Sequence, residues 1–135
     1  IVSVAYHGYH YPIDVVNFVS SRFLIPMLWI GGAVKEPVVI DKLANQTDLA
    51  ATLLNQLGID HDTFTFSRNI LSPDYPEYAF YTYSNGFGVI DSTGISVYDN
   101  EGNKPLIEAP RKGSDLRLRK GKALLQTLYD DLGNR

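Results

Sequence analysis

The chain has 135 residues, 44% of them apolar, and a formal net charge of −3. That is the length of one domain with an ordinary core, and it carries no electrostatic footprint for nucleic acid, so no nucleic-acid partner is expected. No cysteine is present, which excludes disulfides, thiolate metal sites and a cysteine nucleophile; no run of about 18 apolar residues exists to span a membrane.

In chain order, the opening IVSVAYHG predicts a strand over 1–8. Residues 9–22 are ambiguous, with Pro12 placed to start a short helix. FLIPMLWIGG (23–32) is a continuous apolar run closed by two glycines and predicts a central strand buried on both faces. A connector over 35–46 leads into TDLAATLLNQLGI. There Thr47 reads as an N-cap and Asp48 complements the positive helix end. Leu49, Leu53, Leu54 and Leu57 share one face, and Gly58 stops the helix. After a loop through SPDYPEY, the stretches YAFYTYSNGFGVID and GISVYDNEGNK predict strands joined by SNGFG, DSTG and DNEGN turns. Ser114 reads as the cap of a last helix over 115–132, with Leu124, Leu128 and Leu132 in one row beside Leu125 and Tyr129. The basic run RKGSDLRLRKGK reads as a solvated helix face.

Few residues carry chemistry. His7 and His10 follow the first strand, where open α/β sheets place ligand-binding groups. An imidazole there can bind a metal or move a proton, or it can be an exposed or satisfied side chain. His61 reads as a surface-loop residue. The glycines of SNGFG suit a hairpin turn better than a phosphate cradle. Ser67, Ser84 and Ser92 lack a nucleophile setting. The acids Asp41, Asp48, Asp60 and Asp62 are accounted for by capping and loop solvation. The aromatic stripe YAFYTYSNGF alternates as a strand does, with stacking on a sugar as the other reading.

The order SVAYHG, IPMLWIGG, NQTDLAATLLNQLGID, FTFSRNILS, YAFYTYSNGFGVID resembles the carboxy-terminal part of the sulfatase branch of the alkaline phosphatase superfamily, close to lipoteichoic acid synthases. The resemblance runs through nearly the whole chain, and its specificity lies in the order and spacing of the pieces. It implies an α/β fold: a partial alkaline-phosphatase-like sheet with helices, a small antiparallel β appendage and a C-terminal helix. All of 1–135 would be one (sub)domain of a larger sulfatase-like catalytic domain. It implies a Thr, Ser or formylglycine nucleophile attacking a sulfate or phosphate ester, and a divalent metal (manganese, zinc, magnesium or calcium) held by an Asp-His pair. His7 matches the His of that pair, Tyr6 stands at the Asp position, and His10 falls where substrate-facing polar groups occur. No catalytic nucleophile is expected within this chain, and no metal bound by it alone. The chain opens in strand-like sequence with neither methionine nor leader, which reads as a piece of a longer protein. The expected partners are the remainder of the catalytic domain and, in isolation, a second copy of the chain. The parent would be membrane-anchored and extracytoplasmic. The alternative is a non-catalytic binding module or pseudoenzyme in which Tyr6 marks a lost metal site.

Overall fold

The computed structural model describes residues 1–6, 8, 16–32 and 34–135. Its architecture is mixed α/β: a two-stranded ribbon, a four-stranded antiparallel sheet, a short helix between them and a long C-terminal helix.

The first strand is shorter than its sequence suggests. β1 covers Val2–Val4 and β2 Met27–Trp29, and they pair antiparallel with Val2 opposite Trp29. The expected central strand buried on both faces is therefore corrected. Leu28 is 57% exposed, because a two-stranded ribbon covers neither of its own faces. Pro26 precedes β2, and its carbonyl accepts the Ala5 N–H. The helix expected from Pro12 starts outside the described residues; residues 20–23 form a single 3-10 turn.

α1 spans Leu49–Gln56 behind a 3-10 turn at Gln46–Asp48. Thr47 is not its cap. Asn45 turns the chain in, and its backbone N–H donates to Asp48 Oδ2 at 2.8 Å. The Asn45 side chain is engaged elsewhere, accepting the Phe80 N–H at 2.9 Å and donating to the Phe80 carbonyl at 3.3 Å. At the other end Gly58 adopts φ +67°. The Ile59 N–H reaches the Leu54 carbonyl and the Gly58 N–H the Asn55 carbonyl, the paired bonds of a glycine-terminated helix.

The meander consists of β3 (Tyr78–Tyr83), β4 (Gly86–Asp91), β5 (Gly94–Asp99) and β6 (Lys104–Ala109), paired in sequence order. β6, absent from the sequence expectation, carries Pro105. The chain tolerates it because β6 is an edge strand and its register with β5 slips beside Pro105. Alternation assigns the two faces. Phe80, Phe87, Val89 and Tyr98 meet Leu118 and Leu125 of α2, which covers Ser114–Gly133. On the opposite face Tyr81 lies across from Gly88 and Tyr83 across from Gly86. A Cβ at either glycine would run into the facing tyrosine ring, so the glycines of SNGFG seat aromatic rings. Phe23 stacks on Tyr81 at 4.2 Å between ring centroids, Phe18 approaches Tyr83 at 6.0 Å, and the Tyr81 hydroxyl donates to the Phe18 carbonyl at 2.8 Å. Residues 18–23 thus cover the face that α2 leaves open.

α2 seats only the near part of the predicted leucine set: Leu124, Leu125 and Leu128 are half-buried, with Leu125 against the core. Gly121 lies against Phe87 and Val89 with no room for a Cβ, and the buried face is Arg117–Leu118–Gly121. Leu132 and Tyr129 are exposed. A 20-residue helix runs about 30 Å and a six-residue strand about 20 Å, so the last turns extend past the sheet. Ser114 is the first helical residue rather than the cap, which is Gly113 at φ +82°. The Ser114 hydroxyl is buried against Ser96 Oγ at 3.1 Å. Arg117, 0% exposed, is held there without a carboxylate contact among the described residues. Its Nε donates to Ser96 Oγ, and its terminal nitrogens donate to Thr93 and to the Pro110 carbonyl. Nearby Asp91 is partly desolvated, which raises its pKa, but two hydrogen bonds from Thr93 outweigh this and hold it below the ordinary value, helped by the Arg117 and Lys120 charges.

Candidate functional site

The segment that carries the resemblance to an Asp-His-Gly strand end is fixed on both sides of position 7. Upstream, the Ala5 N–H donates to the Pro26 carbonyl, and the Ala5 carbonyl accepts Gln46 Nε2 at 3.2 Å. Downstream, Gly8 is buried so closely against the Arg22 and Leu24 carbonyls that a side chain there would collide with backbone. That close approach is the physical reason for a glycine after His7. Tyr6 projects into solvent at 89% exposure. His7 and His10 lie outside the described residues. His61 is half-buried, and its carbonyl accepts the Phe64 N–H.

Gln46 connects this strand end to a buried, heavily bonded carboxylate two residues on. Asp48 is 0% exposed. Its Oδ1 accepts the Arg68 backbone N–H and Nε, each at 2.9 Å. Its Oδ2 accepts Arg68 NH2 at 2.5 Å, the Tyr75 hydroxyl at 2.8 Å and the Asn45 N–H. Arg68 continues to the Pro76 and Tyr78 carbonyls and stacks its guanidinium 3.7 Å from the Tyr78 ring centroid. Thr52, one turn on from Asp48, hydrogen-bonds the Asp48 carbonyl and accepts the Ile70 N–H. Ser67 Oγ accepts the Ala51 N–H, one of the donors that a helix start leaves open. Burial first, then the bond and charge of Asp48, push the Tyr75 phenol well above the ordinary tyrosine range. Every lone pair of this carboxylate is engaged and none faces solvent, so Asp48 is a structural clamp joining α1, the FSRNILS loop and β3, with no capacity left for a ligand. Sequence reading identified Asp48 only as a helix-end charge. The acid and the arginine are both present in the sequence, but their pairing across 20 residues has no local signature.

A divalent metal of the kind the resemblance implies needs several hard anionic donors. Among the described residues no three His, Asp or Glu side chains stand together to hold one. Position 6 offers an exposed phenol, and Asp48 is committed to Arg68. The described residues therefore do not fit a complete metal site. Ser67 is engaged as a hydrogen-bond acceptor, and Ser84 and Ser92 are exposed turn residues. Among the described residues no helix is long and apolar enough to cross a membrane. Comparison with protein-family models, curated proteins and solved structures gives no match to this chain.

Proposed function

We propose that the chain is the carboxy-terminal part of a metal-dependent, sulfatase-like hydrolase or phosphoglycerol transferase acting on sulfate or phosphate esters, and that it is catalytically incomplete alone. The observation that carries this reading is the connection between the segments that resemble the family. Gln46 of NQTDLAAT bonds the strand of SVAYHG, Asp48 of the same segment binds Arg68 of FTFSRNILS, and Arg68 reaches the start of YAFYTY. Segments that resemble the family in their order along the sequence also form one bonded unit in space, as parts of a single domain do. In this reading the clamp holds the strand end at position 7 against the rest of the domain. His7 is the metal-side residue and His10 the substrate-facing one, while the nucleophile and remaining ligands belong to the partner part of the domain. The parent is membrane-anchored and extracytoplasmic.

The departure at Tyr6 favours a second reading, a pseudoenzyme or binding module, since a phenol stands where the resemblance expects a carboxylate ligand. The reading frame upstream of Ile1 separates the two. An in-frame segment with a Thr or Ser nucleophile and acidic ligands supports the enzyme. A start codon at Ile1 overturns it. In the longer product, turnover of p-nitrophenyl phosphate or sulfate with manganese is expected to fall at least about a hundredfold in His7→Ala, as expected when a group acting at the reacting centre is removed. Unchanged turnover in that variant contradicts the assignment.

A further inference from the structure

At the end of the meander opposite Arg117, the β3–β4 and β5–β6 turns and the overhanging part of α2 enclose an open cleft of about 420 Å³, within the size range of small-ligand sites. The geometry points to this cleft as a binding site for a neutral saccharide, separate from any ester chemistry at position 7. Its floor and walls come from Thr82, Asn85, Asn100, Glu101, Leu125 and Tyr129.

Three observations carry the assignment. First, Tyr129 is 64% exposed. α2 outruns the sheet, so this ring lies largely open beside the cleft and offers an apolar face to the C–H face of a pyranose. Secondly, the cleft presents polar groups of the type that bind vicinal hydroxyls. Glu101 accepts Asn85 Nδ2 at 2.9 Å through Oε2. That bond orients the carboxylate and leaves Oε1 open to accept. The Thr82 hydroxyl and the Asn100 amide make no hydrogen bond to a described residue, so donors and acceptors stand ready side by side. Thirdly, the sign of the charge selects the ligand. Among the lining residues Glu101 is charged and no Lys or Arg balances it, so a phosphorylated or sulfated sugar meets repulsion where a neutral one does not. The two turns that carry Asn85 and Asn100 are tied together by the Asn100 N–H on the Asn85 carbonyl at 2.8 Å, so the polar wall is pre-formed.

Amide chemical shifts of the ¹⁵N-labelled chain, titrated with cellobiose, N,N′-diacetylchitobiose and glucose 6-phosphate, test the proposal. At least one neutral disaccharide is expected to bind in about the millimolar range, with shifts confined to 82–86, 100–101 and 125–129. Tyr129→Ala and Glu101→Gln both replace exposed side chains outside the core. Each is expected to weaken binding at least about tenfold, a loss of about 1.4 kcal/mol, while leaving the other amide shifts in place. No shift with either disaccharide at tens of millimolar, shifts mapping elsewhere, binding unaffected by both substitutions, or equal binding of glucose 6-phosphate would each overturn it.

Discussion

Asp48 and Arg68 carry the largest single-residue consequence in the chain. A buried carboxylate with five donors on it is stable only while those donors remain; removing either partner strands the other charge in the interior, at about 3–5 kcal/mol. Asp48→Ala is therefore expected to lower the urea midpoint sharply. A loss below about 1 kcal/mol would show that the group is wetter than its geometry implies. Tyr81 makes a different prediction, because its side is pH. Burial, and then the neighbouring Tyr83, push its phenol up to about 12. The folded state holds the proton more tightly than the unfolded chain, whose tyrosines titrate near about 10. The contribution is fully present below about pH 10 and is lost as pH rises toward about 12. Urea melts across that window should decline more steeply for the natural chain than for Tyr81→Phe; equal slopes contradict the assignment. Neither pairing was legible in the sequence. Asp48–Arg68 spans 20 residues and Tyr81–Phe18 spans 63, and residue type alone does not say which distant partner burial will bring.

At the scale of elements, local chemistry and packing divide the outcome. The end of α1 was legible, because a glycine past the last apolar residue supplies the left-handed turn without steric cost. The start was not, since Thr47 and Asn45 are both capping types and Asn45 is fixed there by Phe80 of β3, 35 residues away in sequence. α2 shows the same division. Its existence follows from periodicity, and so does the near part of its apolar face, since Leu124, Leu125 and Leu128 are half-buried, whereas Leu132 and Tyr129 of the same expectation are exposed. The sheet accepts the helix where the approach is closest, at Gly121, and the last turn with Tyr129 and Leu132 overhangs. Gly121→Ala thus tests packing against propensity. Alanine favours a helix by about 1 kcal/mol, whereas overpacking against Phe87 and Val89 costs about 1–3 kcal/mol. Net destabilisation is expected in a thermal melt, and a raised melting temperature would show that the helix can shift outward. The hairpin glycines follow the same logic, having been read as turn residues although Gly88 serves as a seat for Tyr81.

Across the whole molecule, apolar burial is uneven. Among the described residues no large apolar side chain between 72 and 115 is exposed, while Leu24, Leu28, Ile30, Val38 and Val39 are. A short two-stranded ribbon is marginal in water by itself, and exposed apolar surface beside unpaired strand edges favours association. In line with the proposed function, we expect the isolated chain to self-associate at micromolar concentration, with sedimentation velocity showing a dimer or larger; a single species near 15 kDa that unfolds cooperatively would count against a missing catalytic-domain partner. The same chain is expected to turn over neither p-nitrophenyl phosphate nor p-nitrophenyl sulfate with manganese, zinc or calcium, and metal-dependent turnover above a His7→Ala control would refute that.

What the sequence determined by itself is therefore local: the mixed α/β composition, two helices, the hairpin turns of the meander, and the absence of thiol chemistry. Each depends on residues within a few positions of one another, where periodicity, turn residues and composition act directly. The tertiary structure alone decided that β1 and β2 pair antiparallel as a ribbon, that Asp48 closes on Arg68, that α2 seats on Gly121, and that its far end leaves a cleft beside Asn85 and Glu101. Those outcomes depend on which distant surfaces bury each other, and burial is a property of the assembled chain, not of any segment within it.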